Sequence, residues 1–113
     1  MPVQVTHKNG IAVLTVLGRL DSHTASELET AAFDALATAY ALVVDLTGTS
    51  DPSSQALRTL TVLDTVMMHR GQRLCICPEV SLLRRGLDAA GVALRASYMP
   101  TVEAAEVLLS PAE

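Results

Sequence analysis

Five consecutive residues, Ser50-Asp51-Pro52-Ser53-Ser54, gather the hydroxyl and carboxylate chemistry of this chain into one stretch. An amphipathic run from Gln55 to Met68 follows, and the cluster holds the residue types that start helices. A helix start presents four N–H groups without intrahelical partners and the positive end of the helix dipole, so negative charge is favoured there. Three uses compete: a phosphorylated serine, a bound anion, or plain capping of the backbone donors. Serine catalysis is disfavoured because it needs a histidine and an acid within reach. His7, His23 and His69 fall on the first strand, the first helix and the far end of the second helix, and there is no G-x-S-x-G elbow. Gly48 stands alone in its turn, so a phosphate-cradling G-x-x-x-x-G-K-[ST] loop is also missing.

The remaining reactive side chains read as structural. Asp21, Asp45 and Asp51 lie near turns without a His or Cys companion, and caps or strand ends account for them without a metal. Cys75 and Cys77 are two apart in an apolar run, which places both on one face of a strand. Buried thiols are the reading, because C-x-C lacks the second ligand pair that zinc requires. No catalytic residue, metal or cofactor is expected, and the chain is read as a non-enzymatic module.

Composition narrows the partners. Of the 113 residues 50% are hydrophobic and 18% charged, which suits one globular domain with a true core. The net charge is −4, the basic residues are scattered, and Phe33, Tyr40 and Tyr98 are the only aromatics. Neither the basic patch nor the stacking platform of a nucleic-acid binder is present. MPVQVTHKNG has no signal-peptide character, and no apolar run is long enough for a membrane span, so a cytoplasmic location without membrane contact is expected.

These residues must be positioned by alternating elements. Val3 to His7 reads as an edge strand, Asn9-Gly10 as a hairpin turn, and Ile11 to Leu17 as an interior strand broken at Gly18. Asp21 or Ser22 caps a helix over Thr24 to Ala39, with Ala25, Leu28, Ala32, Ala35, Leu36 and Ala39 as its buried stripe and Glu27 and Glu29 in or near its first turn. Ala41 to Val44 is a strand buried on both faces, ended by Asp45. The second helix buries Ala56, Leu60, Leu63 and Met67, turns Arg58, Thr61 and Thr65 elsewhere, and stops at His69-Arg70-Gly71. Its apolar Val62, Val66 and Met68 mark either an interface between two copies or a helix set deeper in the core. A strand over Arg73 to Cys77, a helix from Pro78-Glu79 to Ala90, an edge strand from Val92 to Ser97 and a helix from Pro100-Thr101 to Leu109 complete the order ββαβαβαβα. The expected fold is α/β: a mixed sheet of about five strands, the first antiparallel, with about four helices.

On these elements the chain resembles the STAS domain family, in particular its anti-sigma factor antagonists. Gly18-Arg19-Leu20-Asp21 resembles the family's exit from the second strand. The stretch Val43 to Ser50 is similar to the core that precedes its hallmark D-S-S/T-G turn. Gly71-Gln72-Arg73-Leu74, Leu87 to Val92 and Thr101 to Ala105 resemble three later motifs in the same order. The resemblance covers nearly the whole chain and implies a single STAS domain over residues 1–113. It also implies an anti-sigma factor partner, with or without serine kinase activity, and a phosphorylated serine at Ser54, with Ser53 second. Ser53, Gln55 and Ala56 replace the hallmark aspartate, second hydroxyl and glycine. With Asp51 as cap and Pro52 as first helical residue, Ser54 would sit third in the helix, beside a repelling carboxylate. The partner-binding surface expected from the resemblance comprises Asp21, Thr49, Ser50, Asp51, Ser53, Ser54 and Arg58. A sensor of a nucleotide, lipid or anion, or a non-phosphorylated adaptor in a larger assembly, is the alternative.

Overall fold

Asn9 and Gly10 turn the chain at φ 54° and 80°, the left-handed conformation that a two-residue hairpin loop demands. They join β1 (Val3–Lys8) to β2 (Ile11–Leu20), and Lys8 faces Ile11 as the closing antiparallel pair. The structure is a computed structural model and describes residues 3–52, 54–77 and 97–109. The chain continues through α1 (Ser22–Ala35), β3 (Ala41–Pro52), α2 (Ser54–His69), β4 (Arg73–Cys77), β5 (Ser97–Tyr98) and α3 (Val102–Leu109). The strands form one mixed sheet in the order β1-β2-β3-β4-β5, parallel everywhere except between β1 and β2. The helix expected from Pro78 to Ala90 and most of the strand expected from Val92 lie outside the described residues.

The continuous apolar runs of β2 and β3 follow from burial of both sheet faces. Leu14, Val16, Leu42, Val44 and Leu46 point to one side, where they pack with Leu28 and Ala32 of α1 and Leu60, Leu63 and Met67 of α2. Ile11, Val13, Ala41, Val43, Cys75 and Cys77 point to the other, beneath Ala105 and Leu109 of α3. The expected cysteine pair is thus buried on one face of β4.

Helix ends differ in detail from the sequence reading. α1 begins at Ser22 and ends at Ala35, although the stripe through Leu36 and Ala39 stays buried in the turns beyond it. The earlier start leaves no acid in the first turn, which corrects the placement of Glu27 and Glu29. Glu27 instead meets His23, one helical turn away, at 3.0 Å. At the end of α2, Gly71 adopts φ +69°, Gln72 N–H donates to Met67 O at 2.9 Å and Gly71 N–H to Met68 O at 3.1 Å. That pair of bonds is the Schellman arrangement that glycine makes available. Thr101 caps α3, its Oγ1 accepting from Ala104 N–H at 3.1 Å.

The larger corrections concern β2 and β3. Gly18 does not break β2, and Asp45 does not end β3; the two strands stay paired as far as Leu20 and Pro52. Two irregularities make this extension possible. From Thr15 to Leu17 on β2 the partner strand runs from Asp45 to Gly48, and from Gly18 to Leu20 it runs from Thr49 to Pro52, so β3 carries one extra residue each time. Asp45 stabilises the first bulge by accepting from the Thr47 N–H at 3.0 Å and from its hydroxyl. Gly48 lets the strands close up, since a Cβ there would stand 3.1 Å from Leu17 Cδ2 and 3.3 Å from the Val16 carbonyl oxygen. Gly18, at φ +78°, supplies the left-handed residue beside the second bulge.

Candidate functional site

Leu20 and Pro52 are register partners at the carboxyl ends of parallel β2 and β3. One residue beyond Leu20 is Asp21, the cap of α1, and two residues beyond Pro52 is Ser54, the first residue of α2. Two helix N-termini therefore start side by side from one end of the sheet. The carboxyl end of a parallel sheet is where α/β folds place their binding crevices. Here two helix starts, whose first N–H groups lack intrahelical partners, bring their positive dipole ends together.

Asp21 is extended (φ −91°, ψ −174°) and its Oδ1 accepts from the Thr24 N–H at 2.9 Å. The Thr24 hydrogen bonds, aided by the nearby His23, hold its carboxyl below the usual carboxylate range. It is a structural cap with an ionised group at the surface. Thr49 pairs with Gly18, and Ser50 and Asp51 continue β3. Asp51 is therefore not the cap of α2, and Pro52 is not its first turn: both belong to β3, and Pro52 pairs with Leu20 of β2. This overturns the expectation that Ser54 lies third in the helix, because Ser54 opens α2. The side chains of residues 49–57 and all of Ser53 lie outside the described residues. Arg58 is exposed one turn along α2 from Ser54, at the spacing that puts i and i+4 on one helix face.

Other candidates stand apart from this end. His7 lies in β1 and His69 in the last turn of α2. His23 is in the first turn of α1, but it lines a groove with Val3, Glu27 and Asp34 toward β1. The sequence reading missed its pairing with Glu27, although the i, i+4 spacing carried the signal. Cys75 and Cys77 lie in β4 beneath α3. Burial raises the Cys75 thiol, and burial together with the Asp45 carboxylate pushes Cys77 up to about 12, so both stay protonated and inert. Among the described residues no three His, Cys, Asp or Glu side chains are grouped to hold a metal. Also among the described residues, no helix is long and apolar enough to cross a membrane.

Val62 and Val66 on α2 are half-buried and Met68 is exposed, intermediate between a core setting and an open apolar face. The buried acid Asp64 was not singled out by the sequence reading. It lines a cavity of about 230 Å³ with Met67, Gln72 and Leu74, at the opposite end of α2 from Ser54.

Comparison with known proteins agrees with this geometry. A family model described as the STAS domain matches residues 2–105. Among curated proteins none matches the chain significantly. Solved structures with the same fold include TM1081 of Thermotoga maritima, at TM-score 0.82 and 12% identity, covering 95% of this chain and 93% of that one. The phosphorylated form of the Bacillus cell fate determinant SpoIIAA superposes at TM-score 0.77 and 14% identity, covering 96% and 99%. An anti-sigma factor antagonist from Mycobacterium paratuberculosis does so at TM-score 0.71 and 23% identity, covering 95% and 92%.

Proposed function

This chain belongs to the STAS domain family, and on that premise we propose that it is an anti-sigma factor antagonist: a non-enzymatic module that sequesters an anti-sigma factor. The docking surface is the sheet end where α1 and α2 start, comprising Asp21, Thr49, Ser50, Asp51, Ser53, Ser54 and Arg58. The single observation that supports it most is the Leu20–Pro52 register, which sets both helix starts at one level. The antagonist named among the structural neighbours, and the phosphorylated SpoIIAA, point the same way.

Ser54 is the proposed phosphorylation site, with Ser53 second. As the first residue of α2 it stands where backbone N–H groups lack intrahelical partners and the dipole favours negative charge. A phosphate adds about 1.5 to 2 negative charges at neutral pH, which offsets the positive potential of the two helix starts and disfavours docking. The anti-sigma partner would then be the serine kinase that supplies the phosphate. The test is phosphosite mapping by mass spectrometry of the protein purified from its own cells. Phosphate on Ser54, lost in Ser54→Ala, supports the switch. An unmodified Ser54 in every growth condition means that docking is constitutive.

A further inference from the structure

We propose that Asp45 is a positioning residue for the docking surface: by holding the Thr47 N–H and hydroxyl it fixes an extra residue in β3 that brings the start of α2 level with the start of α1. The inference rests on the anti-sigma reading above and adds to it what sets the two helix starts at one height.

Below this point β2 and β3 run in step, from Ile11 beside Ala41 to Thr15 beside Asp45. Continued without interruption, that register would place Leu20 beside Ser50. Leu20 pairs with Pro52 instead, because β3 takes up one extra residue between Asp45 and Gly48 and another between Thr49 and Pro52. α1 then begins at Ser22 and α2 at Ser54, each two residues beyond its member of the Leu20–Pro52 pair. One residue of strand rises about 3.3 Å. Loss of either extra residue would therefore displace Ser54 against Asp21 by about the length of a hydrogen bond.

The first extra residue has a local cause. Thr47 N–H donates to Asp45 Oδ1 at 3.0 Å, and the Thr47 hydroxyl donates to the same oxygen. A side-chain acceptor two residues back competes with sheet pairing for that N–H. Leu46 and Thr47 together then stand opposite Val16, the two-against-one count of a bulge. Leu46 remains in the core that contains Val16, whereas Thr47 is exposed. Burial holds Leu46 in place, and the bonds to Asp45 hold Thr47.

Asp45 acts from a different face. It is two residues from Val43 and the register partner of Cys77, both members of the core beneath α3. α1 and α2 pack on the opposite side of the sheet. The effect of Asp45 on docking is thus carried by the register and not by contact with the partner.

Cross-strand nuclear Overhauser contacts in the full chain read the register, and affinity capture of an anti-sigma factor from the native cells reads docking. The wild type is expected to show Gly18–Thr49 and Leu20–Pro52 contacts. Asp45→Ala should replace them with Gly18–Gly48 and Leu20–Asp51, keep the Leu14–Val44 contact, and lower recovery of the anti-sigma factor at least tenfold. Asp45→Asn, whose side-chain oxygen still accepts both bonds, should keep the wild-type contacts and recovery. Thr47→Val removes the hydroxyl bond alone at an exposed position and serves if Asp45→Ala does not fold. It should populate the slipped contacts beside the native ones and lower recovery severalfold. Unmoved contacts in Asp45→Ala and Thr47→Val overturn the proposal. So do moved contacts with undiminished recovery, or an Asp45→Asn that behaves as Asp45→Ala. A wild type that recovers no anti-sigma factor overturns the docking reading itself, and moved contacts would then mark Asp45 as part of the fold alone.

Discussion

Tyr40 occupies the space that a side chain on Gly10 would need. Its backbone N–H donates to the Gly10 carbonyl at 2.8 Å, and a Cβ on Gly10 would fall 2.5 Å from Tyr40 Cε1. The same tyrosine donates its hydroxyl to the Leu109 carbonyl at 3.2 Å, so the β1–β2 turn, the entry to β3 and the end of α3 meet at one ring. Gly10→Ala incurs both a left-handed backbone and a ring collision, for a destabilisation of about 2–4 kcal/mol. Urea denaturation measures it. A loss no larger than that of an ordinary surface substitution would show that the turn and ring move apart freely.

Gly48 tests the bulged extension of β3. An added methyl would press Leu17, which is half-exposed and can yield, and the Val16 carbonyl, which is held in the sheet. Gly48→Ala is expected to cost about 1 kcal/mol and to speed amide exchange along Leu17–Leu20. Exchange unchanged there would mean that the upper β2–β3 ladder does not depend on this close approach.

Asp21 couples the site to pH. Its folded carboxyl titrates below the usual range because the Thr24 hydrogen bonds favour the ionised form. A depressed carboxylate contributes stability above the unfolded pKa of about 3.9, and that contribution is lost as pH falls through the folded value. Asp21→Ala should therefore melt below the wild type at neutral pH, and the gap should narrow under acid. A gap that stays constant down to the acid limit would point to lost packing alone.

The thiols behave oppositely. Cys77 is raised to about 12 and Cys75 is raised as well, so the native protein should be unreactive to a thiol reagent at mildly alkaline pH, with both groups reacting on unfolding. Unfolded thiols ionise near pH 8.5, so the stabilisation present below that pH is lost as pH rises toward the folded value. The alkaline decline should be smaller in Cys77→Ala. Rapid labelling of either cysteine in the native state would contradict the burial of β4 beneath α3.

Much of the architecture was legible in the residues. Asn9-Gly10 announces its hairpin because few other dipeptides tolerate two positive φ values, and the uninterrupted run Ala41 to Val44 announces a strand covered on both faces. Gly71 marks the end of α2 for the same stereochemical reason that it closes the Schellman turn. The misreadings share one cause. Gly18, Asp45, Gly48, Asp51 and Pro52 are turn and cap residues by type, yet here they form two bulges and a paired strand end. Which role they take is decided by the pairing of β2 with β3, strands distant in sequence, and not by their neighbours. That long-range pairing moved the start of α2 from Pro52 to Ser54 and changed the setting of the candidate phosphosite. The composition of the site was readable; its register was not.

The central claim, that the adjoining starts of α1 and α2 hold an anti-sigma factor, is most directly tested by affinity capture. Tagged wild type, Ser54→Glu and Arg58→Glu, each shown by circular dichroism to be folded, would be recovered from the native cells with their partners identified by mass spectrometry. The wild type is expected to retain an anti-sigma factor, and both variants to lose most of it. Recovery of no anti-sigma factor by the wild type, or equal recovery by all three proteins, would contradict the account.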